Sequence, residues 1–182
     1  KPRHKDDTIR AALQELWDDW TEEADADGRT DFYGLQALIC RAVYESGECF
    51  VRIRPRRPED GLAVPLQLQA LEPEFVPHDK HEKRSNGNVI RAGIEFNGIG
   101  QRVAYWMYRS HPGDGPEPSA GYNELVRVPA EQVLHIFEPL RPGQLRGVPV
   151  LAPVLARLKS LDDFDDAVLF RQEVANLFAG FI

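Results

Sequence analysis

The stretch Val126–Arg171, VRVPAEQVLHIFEPLRPGQLRGVPVLAPVLARLKSLDDFDDAVLFR, joins three kinds of local sequence and decides the fold. Its apolar run Val133–Phe137 predicts a strand. A loop bracketed by Pro and Gly follows, and a helix begins at about Leu151. The predicted buried face of that helix consists of Val154, Leu158, Leu161 and Val168. The stretch therefore predicts a sheet that ends in a rigid turn and leads into an amphipathic helix.

Two helices are predicted at the start of the chain. Apolar residues recur at helical spacing from Ile9 to Trp20, with Asp7 or Thr8 as the N-cap. A second periodic stretch runs from Phe32 to Val43, where Asp31 is the predicted N-cap and Gly47 the C-terminal stop.

Short alternating or apolar runs follow, separated by turn signals, and this pattern is typical of an antiparallel sheet. We predict an α+β fold with N-terminal helices, about six antiparallel strands in a barrel-like or sandwich-like arrangement, and the C-terminal amphipathic helix. Asn97-Gly98 marks a hairpin. The loops 55–61 and 110–121 are expected to be exposed. The predicted strands are Cys49–Arg54, Val64–Ala70, Val89–Phe96, Gln101–Tyr108, Leu125–Val128 and Val133–Phe137.

A length of 182 residues predicts one domain, with a helical region (1–47), a β region (48–138) and a loop-and-helix region (139–182). The last residues, VANLFAGFI, are apolar and lack a capping signal, so we expect the chain to be excised from a longer protein. No apolar run approaches the ~20 residues that span a bilayer. The net charge of -7 argues against a protein that grips DNA along its whole surface. Cys40 and Cys49 are interpreted as reduced core thiols.

Arginines alternate along the first predicted strand. Arg52, Arg54 and Arg56 fall on one face, and Arg57 lies beyond the bend. Such a row suits DNA phosphate or the carboxylates of a partner. We favour the alternative, a solvent-facing edge strand that charge protects from aggregation.

Four aspartates crowd the last helix: Asp162, Asp163, Asp165 and Asp166. Like charges four positions apart destabilise an isolated helix. Solvation together with Lys159, a divalent metal, or arginines of an adjacent subunit could each offset the repulsion.

The loop Arg141–Pro149 combines two glycines that permit positive φ with two prolines that restrict the backbone. A tight loop of this kind holds Arg141, Gln144 and Arg146 in defined positions. The arginines either bond local carbonyls or meet carboxylates of a neighbouring subunit, such as the aspartates of the last helix.

Sites for metals or catalysis are weakly supported. The run 23–28, EADADG, resembles the start of a calcium loop, but position 12 of such a loop would be Gly34, which offers no ligand. His78 and His81 lack the further ligands that zinc needs. His135, inside the apolar run VLHIF, is interpreted as a hydrogen-bonded core residue. We therefore predict no catalytic residue, no metal site and no cofactor.

Ordered pieces across most of the chain resemble one family. These pieces are LWDDW (Leu16–Trp20), TDFYGLQALICRAVYESGECFVRI (Thr30–Ile53), GIEFNGIGQRVAYWMY (Gly93–Tyr108) and the terminal segment Val133–Gln172. Their set and order are similar to the portal proteins of lambda-type tailed bacteriophages. The loop RPGQLRGVP and the helix LDDFDDA carry the most specific part of the resemblance.

The resemblance implies a structural subunit of a self-assembled ring, typically of twelve copies, at one capsid vertex. Its implied partners are the terminase large subunit, the head-completion and tail connector proteins, the capsid proteins, and double-stranded DNA that passes without sequence specificity. No enzymatic activity is implied, and the implied location is the virion, with the bacterial cytoplasm during assembly. This chain would be the N-terminal and wing-like portion.

Two other functions stay open at this stage. One is a metal-dependent hydrolase that uses the Asp162–Asp166 cluster with His135. The other is a cytosolic binding module that uses the strand Arg52–Arg57 to hold a partner or nucleic acid.

Overall fold

The structure, a computed structural model, describes residues 2–113 and 124–179. Within these ranges, two helices come first, α1 (Asp7–Glu23) and α2 (Phe32–Ser46), and α3 (Leu155–Ala179) comes last. The predicted α+β class is confirmed. The strands between them are β1 (Glu48–Pro55), β2 (Leu66–Leu71), β3 (Glu82–Lys83), β4 (Val89–Arg91), β5 (Ile94–Phe96), β6 (Arg102–Tyr108), β7 (Leu125–Pro129) and β8 (Val133–Phe137).

The strands form two sheets. The smaller has the order β2-β1-β8 and the larger the order β3-β4-β5-β6-β7. All paired strands are antiparallel, as predicted. In the described ranges neither sheet closes into a barrel, and the return of β8 to pair with β1 joins the end of the β region to its beginning.

The main core lies where the two sheets share one apolar cluster. The small sheet supplies Phe50 of β1, and the large sheet supplies Ile94 of β5 and Tyr105 of β6. Full burial of a large apolar side chain stabilises the fold by about 1.5–3 kcal/mol relative to exposure. The other buried members are Leu71, Val76, Phe96, Met107, Val128 and Val133.

Side-chain caps define the two N-terminal helices. Asp6 caps α1 by accepting from the backbone N–H groups of Thr8 and Ile9, so the cap precedes the predicted position by one residue. Asp31 caps α2 as predicted, by accepting from Gly34 N at 2.6 Å. Gly47 ends α2 with a φ of 87°, which confirms the predicted C-terminal stop.

The connection between α1 and α2 is attached to the outer edge of β2. Leu68 N donates to the carbonyl of Ala24 at 2.7 Å, and Ala26 N donates to the carbonyl of Leu68 at 2.8 Å. The carboxylate of Asp25 accepts from the N–H groups of residues 27, 29 and 30. Its oxygens therefore order the turn of the segment that resembles a calcium loop.

The predicted single strand Val89–Phe96 is wrong in one respect, because the chain turns inside it. Ala92 and Gly93 have φ values of 50° and 77° and separate β4 from β5. A Cβ on Gly93 would overlap the Val76 side chain. An apolar run does not reveal a two-residue turn when the turn residues are Ala and Gly. The predicted hairpin at Asn97 is confirmed, since its side chain accepts from Ile99 N and Gln101 N.

The predicted buried face of the last helix is not buried in this chain. Val154, Leu158, Leu161 and Val168 are 41%, 49%, 56% and 40% exposed. A short 3-10 turn, Ala152–Val154, precedes α3. Helical periodicity identifies an apolar stripe, but it does not identify the surface that covers the stripe. Further exposed apolar residues of α3 are Leu155, Phe164, Leu169, Phe170 and Leu177.

The remaining sequence predictions have mixed outcomes. Cys49 is buried, but Cys40 is exposed, so only Cys49 is a core thiol.

The loop after β1 is exposed except at Arg56 and contains the short turn Pro58–Asp60. Of the predicted loop 110–121, the segment from 114 onward lies outside the described residues. In the described ranges, no helix has both the length and the apolar character needed to cross a lipid bilayer.

We predict that Gly47→Ala destabilises the chain by at least ~3 kcal/mol, because a Cβ there would overlap the backbone of Val148 and Pro149. The matched control is Gly61→Ala, which has a similar φ of 74° but open space around the added atom. That control is expected to cost only about 1 kcal/mol. Urea denaturation followed by circular dichroism measures both, and equal losses would show that the contact is unimportant.

Candidate functional site

The loop after β8 lies directly against the junction between α2 and β1. A Cβ on Gly147 would overlap the carbonyl group of Gly47, so no side chain fits at that position. Gln144 shapes the loop, since its side chain accepts from Leu140 N and donates to the carbonyl of Arg146, both at 2.8 Å. The backbone of this loop is therefore in close contact with the start of β1.

A buried ion pair lies beneath this contact. The Nε of Arg146 donates to Glu48 Oε1 at 2.6 Å, and Gly147 N donates to Glu48 Oε2 at 2.7 Å. The side chains of Arg146 and Glu48 are only 7% and 3% exposed. A buried charge of this kind is strongly destabilising if its partner is lost.

The remaining donors of Arg146 bind the backbone of distant segments. Nη1 donates to the carbonyls of Val76 and Ala92 at 3.0 Å, and Nη2 donates to the carbonyl of Pro73 at 3.2 Å. The guanidinium carbon lies 5.2 Å from the centre of the Phe50 ring. Arg146 thus links the loop to the segment after β2 and to the β4–β5 turn.

His135 completes the cluster from β8. Its Nε2 lies 2.8 Å from Glu48 Oε2, and its ring stacks on Phe50 at 4.3 Å. Its Nδ1 is buried without a hydrogen-bond partner among the described residues. A protonated ring would leave that N–H unsatisfied, so the geometry favours a neutral ring that donates from Nε2. The interpretation of His135 as a hydrogen-bonded core residue is confirmed.

The pKa values of this cluster follow from burial and bonding. Burial raises the pKa of Glu48, but the hydrogen bonds from His135, Arg146 and Gly147 N, with the charge of Arg146, outweigh burial and hold the pKa below 4.5. Burial lowers the pKa of His135 below 6.5, and the hydrogen bond and charge of Glu48 only partly oppose that shift. At neutral pH the cluster contains one carboxylate, one guanidinium and one neutral imidazole.

The loop residues predicted for a subunit interface have different environments. Arg146 uses its donors inside the chain, on groups at least 54 positions away in sequence, and is not placed to bind a neighbour. Gln144 is half-buried and braces the loop. Arg141 is exposed and stays available to a neighbouring subunit.

The arginine row does not lie on an edge strand, so that interpretation is wrong: β1 is the central strand of its sheet. Arg54 donates to Gln69 Oε1 at 3.3 Å, and Arg56 donates to Gln67 Oε1 at 2.8 Å. The Nε of Arg52 is buried, with no hydrogen-bond partner in the described ranges. The row therefore lies inside the β region, next to neutral amide side chains.

Arg57 differs from the rest of the row because its side chain is exposed. It lies at the start of the turn Pro58–Asp60, where its backbone N donates to Asp60 Oδ2 at 2.9 Å.

The aspartates of α3 form an exposed acidic patch. Lys159 lies 2.7 Å from Asp163 and 3.5 Å from Asp162, so one lysine offsets part of the charge. Asp165 and Asp166 are exposed, and neither has an ion pair among the described residues. The patch is open to partners from outside the chain.

The hydrolase hypothesis finds no support in the geometry. Its two components are separate, since His135 is bound to Glu48 in the interior and the aspartates lie on the surface of α3. One group of metal-binding side chains converges among residues 2–113 and 124–179, namely Glu72, Glu74 and His111. His111 Nε2 already lies 3.0 Å from Glu72 Oε2, and its Nδ1 accepts from Gly113 N at 3.0 Å, so both ring nitrogens have contacts within the chain.

Sequence reasoning missed two buried carboxylates. Glu48 is the main acceptor of the cluster described above. Glu95 is 1% exposed and binds Asn88, Trp106 and Arg127 at 2.6–3.1 Å. The signal was present for Glu95, which interrupts the apolar run Val89–Phe96, whereas Glu48 precedes the predicted strand Cys49–Arg54 and interrupts no apolar pattern.

Comparison with known proteins gives one consistent family. A family profile described as "Phage portal protein, lambda family" matches residues 1–182. The chain is 30% identical over 181 residues to a "Probable portal protein" of Halomonas phage phiHAP-1. The aligned region covers 98% of this chain and 34% of that protein. It is 28% identical over 117 residues to "Portal protein B" of Escherichia phage lambda. That aligned region covers 64% of this chain and 22% of the lambda protein. The chain thus spans about a third or less of these relatives.

We predict that Arg146→Leu lowers the free energy of unfolding by about 3–5 kcal/mol, because it leaves the Glu48 carboxylate buried and unpaired. Arg146→Lys should recover little, since an ammonium cannot reproduce the fork that reaches three carbonyls and a carboxylate. The control is Arg141→Leu in the same loop, which should change stability by less than ~0.5 kcal/mol. Urea denaturation checks all three, and a loss below about 1 kcal/mol in Arg146→Leu would contradict the assignment.

We also predict a loss of stability on acidification. Because the folded pKa of His135 is lowered, the unfolded state binds a proton first, and stability falls as pH drops below 6.5. Glu48 contributes fully above 4.5 and loses its contribution as pH falls through its lower folded pKa.

The measurement is the urea midpoint at several pH values between about 7 and about 3. His135→Gln should flatten the upper part of the curve, whereas His78→Gln, on an exposed loop, should leave it unchanged. If the urea midpoint of His135→Gln changed with pH as it does in the unaltered protein, the loss of stability below pH 6.5 would have to come from other groups.

Proposed function

Because this chain belongs to the lambda family of phage portal proteins, we propose that it forms part of a subunit of the portal ring, the conduit for DNA packaging and ejection. The observation that carries this proposal is the family match along residues 1–182. Portal proteins of this family are structural, and we assign the chain no catalytic role. Its place is the portal vertex of the virion, with the bacterial cytoplasm during assembly.

The exposed apolar side chains of α3 support a role in assembly. Among the described residues of this helix, eight apolar side chains between Leu155 and Leu177 are 40–69% exposed. Exposed apolar surface on this scale marks an interaction site. In a ring, neighbouring subunits or the rest of the subunit would cover this helix.

The charge of the chain supports a conduit rather than a DNA-gripping protein. A net charge of -7 disfavours tight, salt-dependent binding to the phosphate backbone. DNA would then pass without sequence specificity. The proposed protein partners are further copies of the chain in the ring, together with the terminase large subunit, the head-completion and tail connector proteins and the capsid.

Exposed charged groups suggest how neighbouring subunits meet. Arg141 is exposed on the loop, and Asp165 and Asp166 are exposed on α3. We propose that Arg141 of one subunit contacts the acidic patch of the next, with Asp162 and Asp163 at its margin. Gln144 holds the loop that presents Arg141.

Electron microscopy of the full-length protein tests the main proposal. We expect closed rings with a central hole wide enough for duplex DNA. A monomer that stays compact at high concentration would contradict the proposed function.

We predict that Arg141→Glu raises the protein concentration needed for half-maximal ring formation by about tenfold, because it places like charges opposite each other. Combining it with Asp165→Lys and Asp166→Lys should restore assembly, since the pairs are then reversed. Arg57→Glu makes the same charge change at another exposed site and serves as the control. Sedimentation velocity of the full-length protein measures the ring fraction. Unchanged assembly in Arg141→Glu would exclude this contact.

A further inference from the structure

A pocket lies beside the core on the face of β1 that carries its arginines. Phe50, Arg52 and Arg54 share this face because side chains alternate along a strand. Arg52 and Arg54 line the pocket with Val126 and Val128 of β7. Its volume is about 330 Å³, and a water molecule occupies roughly 30 Å³ in the liquid. The pocket therefore has room for a small polyatomic ligand together with several waters.

Arg52 lacks an internal partner in this pocket. Its Nε is buried without a hydrogen bond, and no carboxylate among the described residues pairs with its guanidinium. Buried donors in native proteins almost always have a partner from protein, water or an ion. Its cross-strand neighbours do not supply one, because Val133 is apolar and the Oε1 of Gln69 accepts from Arg54 instead.

A second cation lies next to the first. Arg54 follows on the same face, and its hydrogen bond goes to the neutral amide of Gln69 at 3.3 Å. Burial and the charge of Arg54 both lower the pKa of Arg52, which is the effect of two like charges in a partly dry site. Arg109 also lines the pocket, but Glu124 lies 2.9 Å away and balances its charge. Two guanidinium groups without a carboxylate partner in the described ranges therefore face one cavity.

We propose that this pocket binds a phosphate group, held by Arg52 and Arg54. A phosphate monoester carries about 1.5 to 2 negative charges at neutral pH, free phosphate can also form a dianion, and two adjacent cations favour the dianion. Its several acceptor oxygens suit the planar donor forks of arginine. A carboxylate supplies one charge only and would leave one guanidinium unbalanced. The site goes beyond the proposed structural role, and only DNA as the source of the phosphate rests on that role.

The bound phosphate group could belong to free phosphate or to the backbone of the DNA that a portal conducts. A phosphodiester carries one charge, so we expect inorganic phosphate to bind more tightly per group than duplex DNA. The probes are therefore inorganic phosphate and a short duplex, each used alone and in competition.

The first experiment titrates inorganic phosphate into the full-length protein in chloride buffer by calorimetry. We expect saturable binding with one site per subunit. Sulfate, also a tetrahedral dianion, should compete, whereas acetate at the same concentration should not. Displacement by acetate would indicate that a carboxylate of another chain is the ligand, and the proposal would be wrong.

Two variants and a matched control localise the site. Arg52→Gln and Arg54→Gln should each weaken phosphate binding by about tenfold, the loss of one charge-assisted contact. Arg57→Gln makes the same change on an exposed side chain outside the pocket and should leave affinity within about twofold. Circular dichroism confirms folding, and if Arg52→Gln fails to fold, Arg54→Gln decides the result.

Duplex DNA distinguishes the two sources. If the duplex competes with phosphate and Arg52→Gln weakens both, the DNA backbone supplies the group. If the duplex does not compete while phosphate binding depends on Arg52 and Arg54, the ligand is free phosphate or a monoester. Absence of saturable phosphate binding, or equal losses in Arg57→Gln and Arg52→Gln, overturns the proposal.

Discussion

The carboxylate of Glu48 is the constraint on which the rest of the fold depends. It accepts from Arg146, from the backbone of the following glycine and from His135, so it joins the start of β1 to β8 and to the loop that follows. Through the other donors of Arg146, the same cluster reaches the β4–β5 turn of the larger sheet. A buried charge tolerates few alternative arrangements, because each misplacement leaves a donor or acceptor unsatisfied. Both sheets and the loop must therefore be in place together.

The molecule divides its interactions between an interior and an outer helix. The interior holds its buried carboxylates in hydrogen-bonded networks around Glu48 and Glu95. The outer helix α3 has the opposite character, with apolar side chains and aspartates exposed on its surface. In the proposed ring subunit, the defined interior would set the geometry while the exposed groups of α3 remain for neighbours.

Local patterns predicted the local structure well. Asp31 and Gly47 bound α2 as the capping rules require, and alternation located the strands to within a few residues, apart from the turn inside Val89–Phe96 and the two-residue strand β3, which was not predicted. The division into two sheets was not predictable, because strand pairing depends on residues far apart in sequence. Arg146 shows the same limit: its loop suggested a local or intersubunit role, whereas its acceptors lie 54 to 98 positions away. The uncovered face of α3 shows that periodicity predicts an apolar stripe without predicting its partner.

The close contact between the two glycines at positions 47 and 147 has a mechanical consequence. The 25 residues of α3 make this helix about 38 Å long at 1.5 Å per residue, and only a few residues separate it from the contact. No side chain separates the two backbones and an ion pair lies beneath them, so the loop has little conformational freedom. A load applied to the far end of the helix would reach the sheets through residues 148–154 and then through this contact, so the contact and the ion pair beneath it would resist its transfer to β1.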